Sequence, residues 1–157
     1  MKTIDIIRTG TPETLPVYHD SVQVTSAGDI LFEGHFSAEP NATRPPPNEH
    51  VKWMDFGARV AEGVYSGVVT DGTNSKYPGK YIYIYNSDGG IEIPTINPNL
   101  KHSGEYFAKG VLIHTGWSNS WTGSIACFTI PPAGAEMFWG LFDIGEKVKI
   151  NLRKAAP

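Results

Sequence analysis

Short alternating segments separated by turn residues constrain the fold of this chain more than any other feature. Residues 77–85, YPGKYIYIY, alternate tyrosine with isoleucine, as expected for a strand with two different faces. Residues 3–7, 15–19, 22–25 and 30–36 are strand-like segments with short spacers, which predicts an N-terminal β-meander. The other predicted strands are 64–70, 91–95, 111–113 and 147–152.

Residues 38–49, AEPNATRPPPNE, are predicted to form a loop. Three successive prolines fix φ and remove amide donors, which excludes a helix or a central strand there. A surface loop or lid is one interpretation. The other is the wall of a substrate groove, with Arg44, Glu49 and His50 as its polar groups.

A short helix is predicted near the C-terminus. Two prolines precede AGAEMFWGLFD, residues 133–143, in which Met137 and Leu141, and Phe138 and Phe142, are four positions apart. That spacing places the pairs along one side of a helix that begins at proline. We expect this aromatic stripe to pack against the core, and the alternative is a binding surface.

The composition agrees with a turn-rich β protein and narrows the classes of partner. Seventeen Gly and twelve Pro, with seven Tyr and seven Phe, favour β structure over a helical bundle, and 157 residues fit a single domain spanning residues 1–157. A formal net charge of -3 gives no electrostatic reason to bind nucleic acid or an anionic membrane, so we expect neither as a partner. A single cysteine excludes an internal disulfide framework.

The N-terminal sequence MKTIDIIRTG does not have the pattern of a signal peptide, because its apolar stretch is short and contains Asp5 and Arg8. No apolar run is long enough to span a bilayer, so we expect no membrane insertion. We therefore expect a soluble protein made in the cytoplasm. Action outside the membrane would require a non-classical route of delivery.

Residues 110–130, GVLIHTGWSNSWTGSIACFTI, contain the chemically most informative pair of side chains. Cys127 is the single cysteine of the chain, and His114 precedes it by thirteen positions. His114 directly follows the predicted strand 111–113, at a point where a rigid strand would position it and a loop would give access to substrate. A thiol and an imidazole can act as nucleophile and base. The alternative is that Cys127 is a small buried hydrophobe.

Small residues before Cys127 predict an oxyanion site. Ser124 and Ala126 leave room for the backbone amides to approach a substrate carbonyl. Ser124 lacks the Gly-x-Ser-x-Gly elbow of a serine nucleophile, so we interpret it as a hydrogen-bonding neighbour of Cys127. No third carboxylate is evident, and a backbone carbonyl is the alternative group for orienting the imidazole.

The loop between the pair contains candidate substrate-binding residues: Trp117, Asn119, Ser120 and Trp121. Indole rings on a loop suit stacking against a sugar or peptide, and the alternative is that they cap the core. The five histidines show no His-x-x-x-His spacing and no acidic partner at motif distance, so no metal site is predicted, and no cofactor is expected.

Two short motifs resemble the L,D-transpeptidase (YkuD) family. SIACFT, residues 124–129, resembles the Ser-x-Gly-Cys-x-Arg core of that family, and LIHTG, residues 112–116, resembles its upstream His-Gly element. IRTGTPETL, residues 7–15, is similar to small L,D-transpeptidase-like proteins of phage genomes and bacterial toxins. Three residues depart from the family pattern: Ile125 replaces His, Ala126 replaces Gly and Thr129 replaces Arg.

The resemblance implies a mainly β fold, an L,D-transpeptidase-like β-sandwich or barrel with one or two short helices. It also implies Cys127 as nucleophile, His114 as base, and peptidoglycan stem peptides as substrate, cut or exchanged at the L,D-linked bond. The departures are compatible with altered specificity or with a fold that has lost activity. Arg44, Arg59 or Lys109 could replace the missing arginine as a positive group.

The leading hypothesis is therefore an L,D-carboxypeptidase or transpeptidase acting in the cell wall as an antibacterial effector or phage lysin. Delivery by a phage lysis system or by contact-dependent (type VI) secretion, and an immunity protein in the producer, would follow from that hypothesis. The main rival is a catalytically inactive cell-wall-binding or structural module of the same fold. A third possibility is an unrelated β-sandwich binding domain.

Overall fold

The computed structural model describes residues 1–9, 18–38, 58–73, 79–99, 102–116 and 127–155. Within these ranges the chain forms ten strands and one helix, α1. The strands are β1 (Lys2–Arg8), β2 (Asp20–Ser26), β3 (Asp29–Phe36), β4 (Gly63–Asp71), β5 (Lys80–Tyr85), β6 (Ile93–Asn99), β7 (Glu105–Ala108), β8 (Leu112–Thr115), β9 (Phe128–Ile130) and β10 (Lys147–Lys154). The helix α1 (Pro132–Trp139) lies between β9 and β10.

Eight of these strands form one sheet in the order β3-β2-β1-β10-β4-β5-β8-β9. The β1–β10 and β8–β9 pairs are parallel, and the other pairs are antiparallel. The two ends of the sheet meet where Ser37, just after β3, exchanges two backbone hydrogen bonds of 2.9 Å with Thr129 of β9. The sheet is therefore nearly closed into a barrel.

The strands β6 and β7 form a separate two-stranded sheet. It is joined to residues 58–61 by two backbone hydrogen bonds, from Ala61 N to Pro94 O at 2.8 Å and from Ile96 N to Arg59 O at 2.9 Å. This small sheet directly precedes β8, and the short connection bends at Gly110, whose φ of +66° favours glycine.

The interior of the barrel is filled by alternate side chains of its strands, as expected from the two-residue period of a strand. Gly67 in β4 is needed for this packing, because a Cβ there would overlap Ile82 of β5. Phe138 of α1 covers one part of the core and packs edge-on against Phe36, with 5.0 Å between ring centroids. The fully buried interior residues include Ile4, Ile6, Val24, Ile82, Ile84, Val148 and Ile150.

The structure confirms the mainly β architecture, a barrel with a short helix, that the sequence predicts. The meander of residues 3–7, 22–25 and 30–36 corresponds to β1, β2 and β3, and the KVKINL segment at 147–152 corresponds to β10. Of the predicted strand at 15–19, the described Tyr18 and His19 lie outside any strand. Of the predicted 38–49 loop, residues 39–49 lie outside the described ranges, with Arg44 and Glu49 among them.

The predicted helix is present, but its stripe is only partly buried. Helix α1 starts with Pro132 at its first turn and ends at Trp139, so Phe142 lies beyond the helix. Phe138 and Phe142 are buried as expected, whereas Met137 is 75% exposed. In the part of the chain that the structure describes, no helix combines the length and the apolar composition needed to cross a bilayer.

A buried arginine lies at the end of β1. Arg8 Nη1 donates to Glu62 Oε1 at 3.0 Å, and Nη2 donates to the carbonyl of Ala38 at 3.0 Å. Partial burial opposes ionisation of Glu62, but its own backbone N–H and the Arg8 guanidinium outweigh this effect. The pKa of Glu62 is therefore lowered from its ordinary value of 4.5.

Replacing Glu62 with glutamine is expected to lower the free energy of unfolding at pH 7 by about 1–2 kcal/mol, because Arg8 loses a charged partner. A carboxyl with a lowered folded-state pKa stabilises the fold above its unfolded-state pKa, and this contribution is lost as the pH falls through the folded-state value. Urea denaturation at several pH values should therefore show the two proteins converging below about pH 4. A difference that persists unchanged at pH 3 would contradict this account.

Candidate active site

The parallel pair β8–β9 places the candidate base beside the candidate nucleophile. His114 is opposite Thr129 in the register, and Ile113 is opposite Phe128. Ile113 and Phe128 point into the apolar core. Because side chains alternate along a strand, His114 and Thr129 lie together on the other face of the pair.

Cys127 immediately precedes β9, and its sulfur is held against the start of β8. Leu112 N donates a hydrogen bond to Sγ at 3.3 Å, and Sγ lies 3.8 Å from the carbonyl oxygen of Gly110. A donated N–H stabilises negative charge on sulfur. Cys127 is partly exposed and does not belong to the hydrophobic core cluster, unlike the buried apolar side chain that the alternative interpretation expects.

His114 is 2% exposed, and its ring orientation is defined by the backbone. Nδ1 lies 2.8 Å from the carbonyl oxygen of Thr115. A carbonyl only accepts hydrogen bonds, so Nδ1 carries the proton and Nε2 is the basic nitrogen of the neutral ring. The orienting group is thus the backbone carbonyl that the sequence analysis considered when no carboxylate could be found.

The pairing of β8 with β9 brings Cys127 close to the strand that carries His114. Cys127 immediately precedes Phe128, the first paired residue of β9, and its sulfur accepts from Leu112 N, two residues before His114. One strand spacing combined with two residues of rise separates Cα atoms by about 8 Å. His114 lies within β8 and not beyond its end as predicted, because its pairing with Thr129 extends the strand.

The position expected to hold arginine is next to the imidazole. Thr129 is fully buried and is the cross-strand partner of His114, so a neutral hydroxyl stands there. Among the three alternative cations, Lys109 adjoins Gly110, whose carbonyl lies near the Cys127 sulfur. Lys109 Nζ lies 4.0 Å from Glu92 Oε1. Arg44 lies outside the described residues.

A residue that the sequence analysis missed, Tyr18, also reaches this face. A Cβ at Gly116 would overlap the Tyr18 hydroxyl, so the hydroxyl lies directly against the glycine two residues after His114. Burial raises the pKa of Tyr18 to about 12, and the hydroxyl lies close to Thr129. The one sequence feature that could have indicated such a neighbour is Gly116 of LIHTG, because a glycine leaves space for another side chain.

The remaining predicted site residues lie outside the described ranges, and their roles stay predictions. They are the oxyanion neighbours and the loop residues between the pair, namely Ser124, Ala126, Trp117, Asn119, Ser120 and Trp121. Within the described ranges, no group of three or more His, Cys, Asp or Glu side chains is arranged to hold a metal ion.

No family model matches the sequence, and no curated protein matches it either. Two solved structures are similar to this chain. One is the crystal structure of an L,D-transpeptidase (Yku) from Stackebrandtia nassauensis, with 15% identity and a TM-score of 0.46 over 99% of this chain and 58% of that chain. The other is that of Mycobacterium tuberculosis L,D-transpeptidase 1, with 13% identity and a TM-score of 0.39 over 97% of this chain and 62% of that chain. This chain thus spans less than two thirds of either protein.

Proposed function

We propose that this chain is a cysteine enzyme that cleaves or exchanges the L,D-linked bond of peptidoglycan stem tetrapeptides. One observation carries the proposal: the partly exposed Cys127 contacts the start of β8, the strand that holds the backbone-oriented imidazole of His114. In this proposal Cys127 is the nucleophile and His114 is the base.

The chemistry follows from the tautomer of His114. Nε2 takes the proton of the Cys127 thiol, and the thiolate attacks the amide carbonyl to form a tetrahedral oxyanion. The protonated ring then gives its proton to the departing amine as the C–N bond breaks, which leaves a thioester on Cys127. The Thr115 carbonyl accepts from Nδ1 throughout and stabilises the positive ring between these two transfers.

The acceptor decides the net reaction. Attack of water on the thioester releases a shortened stem and makes the enzyme an L,D-carboxypeptidase. Attack of an amine forms a new amide bond and makes it a transpeptidase. In both cases the acceptor loses a proton to His114 and Cys127 regains its thiol, so the protein returns to its starting state.

The substrate class is supported by sequence and by one feature of the site. LIHTG and SIACFT resemble the catalytic elements of the L,D-transpeptidase family and place His114 and Cys127 in its order. A stem tetrapeptide ends in a carboxylate, and we assign its binding to Lys109, an exposed cation that precedes Gly110 in the chain and whose Nζ lies 4.0 Å from Glu92 Oε1.

The biological setting we propose is the cell wall of a bacterium. The similarity of residues 7–15 to small phage-encoded and toxin proteins supports an antibacterial effector or a lysin. An effector of this kind would be delivered to the periplasm of a target cell, and its producer would need an immunity protein.

The test is incubation of the purified chain with muropeptides that carry tetrapeptide stems, with and without an added D-amino acid, followed by mass spectrometry. We expect loss of the terminal D-alanine, or its replacement by the added amino acid, and no change in tripeptide muropeptides. Unchanged tetrapeptide stems under all conditions would refute the enzymatic proposal. Binding to isolated cell walls without turnover would instead support the non-catalytic wall-binding module.

A further inference from the structure

The peptide group between Thr115 and Gly116 includes the carbonyl that accepts the Nδ1 proton of His114. Its amide side is held by β9, because Gly116 N donates to the carbonyl of Ile130 at 2.9 Å. The orientation of this peptide group therefore determines which ring nitrogen of His114 carries the proton. Two side chains from distant parts of the chain contact the residues on its two sides, Thr115 and Gly116.

Trp139 of α1 holds the Thr115 side. Its indole Nε1–H donates to Thr115 Oγ1 at 3.1 Å. The indole is fixed in turn, because it packs edge-on against Phe138 with 4.9 Å between ring centroids and an interplanar angle of 78°. Lys80 Nζ also donates to the Trp139 carbonyl at 3.1 Å, which ties the end of α1 to β5.

Tyr18 holds the Gly116 side. Its hydroxyl occupies the space that any side chain at position 116 would need, so it lies against the backbone of that residue. The same hydroxyl lies close to Thr129, the cross-strand partner of His114. With its pKa raised to about 12, Tyr18 stays protonated and neutral at physiological pH. It acts by its shape, without contributing charge.

We propose that Tyr18 and Trp139 are positioning residues that clamp the Thr115–Gly116 peptide and thereby hold His114 in its Nδ1–H tautomer. This inference rests on the proposed function only for the role of His114 as base. The clamp itself joins three separate parts of the chain: the segment before β2, the end of β8, and helix α1.

The consequence for the chemistry is specific. In a neutral imidazole without a fixed hydrogen-bond partner, either ring nitrogen can carry the proton. A ring with Nε2–H cannot accept the thiol proton at that atom. A fixed Thr115 carbonyl keeps the lone pair at Nε2. Loosening the clamp should therefore lower the rate of proton transfer without changing the groups that bind substrate.

The direct test is nitrogen-15 NMR of the His114 ring in histidine-labelled protein, with the signal assigned by its loss in His114→Gln. In the wild type we expect one protonated and one unprotonated ring nitrogen. Tyr18→Phe removes the hydroxyl and keeps the ring, and Trp139→Phe removes the indole N–H and keeps a smaller aromatic ring; both should bring the two nitrogen shifts closer together. The rate of Cys127 alkylation by iodoacetamide at neutral pH should fall about tenfold in these variants, and kcat on muropeptides should fall with it while KM is unchanged.

Gly116→Ala tests the clamp from the other side, since its methyl group would displace the Tyr18 hydroxyl. It should change the ring shifts in the same direction, and the double variant Tyr18→Phe/Gly116→Ala should recover part of the wild-type pattern. Tyr106→Phe, at an exposed tyrosine of β7, is the matched control.

Ring shifts that stay at wild-type values in both Trp139→Phe and Tyr18→Phe would overturn the inference, and so would an equal change in Tyr106→Phe. The ring shifts need no substrate. If the wild type leaves muropeptides intact while the two variants alter the His114 tautomer, the proposed function fails and the clamp stands.

Discussion

Cys127→Ala is expected to abolish turnover of tetrapeptide muropeptides, and His114→Ala to lower the rate about 10³-fold. Alanine at 127 cannot form the thioester. Without the imidazole, the thiol loses its base and the leaving amine loses its proton donor. Mass spectrometry of the products, with initial rates at saturating substrate, measures both effects.

The matched control is His35→Ala, because His35 is an exposed histidine of β3 to which no catalytic or substrate-binding role is assigned. It should retain the wild-type rate. Brief incubation of the wild type with substrate should also give a covalent acyl adduct on Cys127, absent from Cys127→Ala. Turnover that survives Cys127→Ala would exclude the thioester mechanism, and a His35→Ala rate as low as that of His114→Ala would exclude a specific role for His114.

Local patterns predicted most of the strands and the pairing within the N-terminal meander, but not the partners of the other strands. Alternation identified the strands that became β5 and β10, because a strand buried on one side repeats every two residues. Nothing in KVKINL indicates that β10 lies in the middle of the sheet, parallel to β1 at the other end of the chain. Such pairing depends on the shape of the whole sheet, and single-segment periodicity carries no information about it.

The candidate site residues could likewise be predicted only where a local sequence pattern indicated them. Residue type and spacing identified Cys127 and His114, and the lack of a carboxylate indicated the backbone carbonyl that Nδ1 contacts. Tyr18 could not be found in this way, because it meets Gly116 from a segment nearly one hundred positions earlier in the chain. Met137 was assigned to the core because i,i+4 spacing cannot distinguish two adjacent positions on a two-turn helix, and of Met137 and Phe138 it is Phe138 that turns inward.

The closure of the barrel beside the site depends on one buried carboxylate, Asp20. Its Oδ1 accepts from Thr9 N at 3.0 Å, and its Oδ2 accepts from Ala38 N at 2.8 Å. Arg8 holds the carbonyl of the same Ala38. Ala38 follows Ser37, which pairs with Thr129, so Asp20 fixes the strand end that closes the sheet next to His114.

Replacing Asp20 with alanine is expected to lower the free energy of unfolding by about 3 kcal/mol, because the amides of Thr9 and Ala38 then lose their charged acceptor. Urea denaturation at pH 7 measures this loss. Asp29→Ala, at an exposed aspartate of the β2–β3 hairpin, should change stability by less than about 0.5 kcal/mol. A loss below about 1 kcal/mol for Asp20→Ala would show that the closure is held by other contacts.

Asp20→Asn separates closure from global stability, because asparagine keeps the shape and one acceptor oxygen but presents an N–H₂ group to the second amide. Its loss should be about half that of alanine. Hydrogen exchange locates the effect: the Thr129 amide, which donates to Ser37 O, should exchange faster than in the wild type, since it depends on the strand end that Asp20 holds. Amides of the β4–β5 ladder lie away from this closure and should exchange as in the wild type. Equal acceleration at both places would mean that Asp20 stabilises the barrel as a whole and has no particular effect on the edge that carries His114.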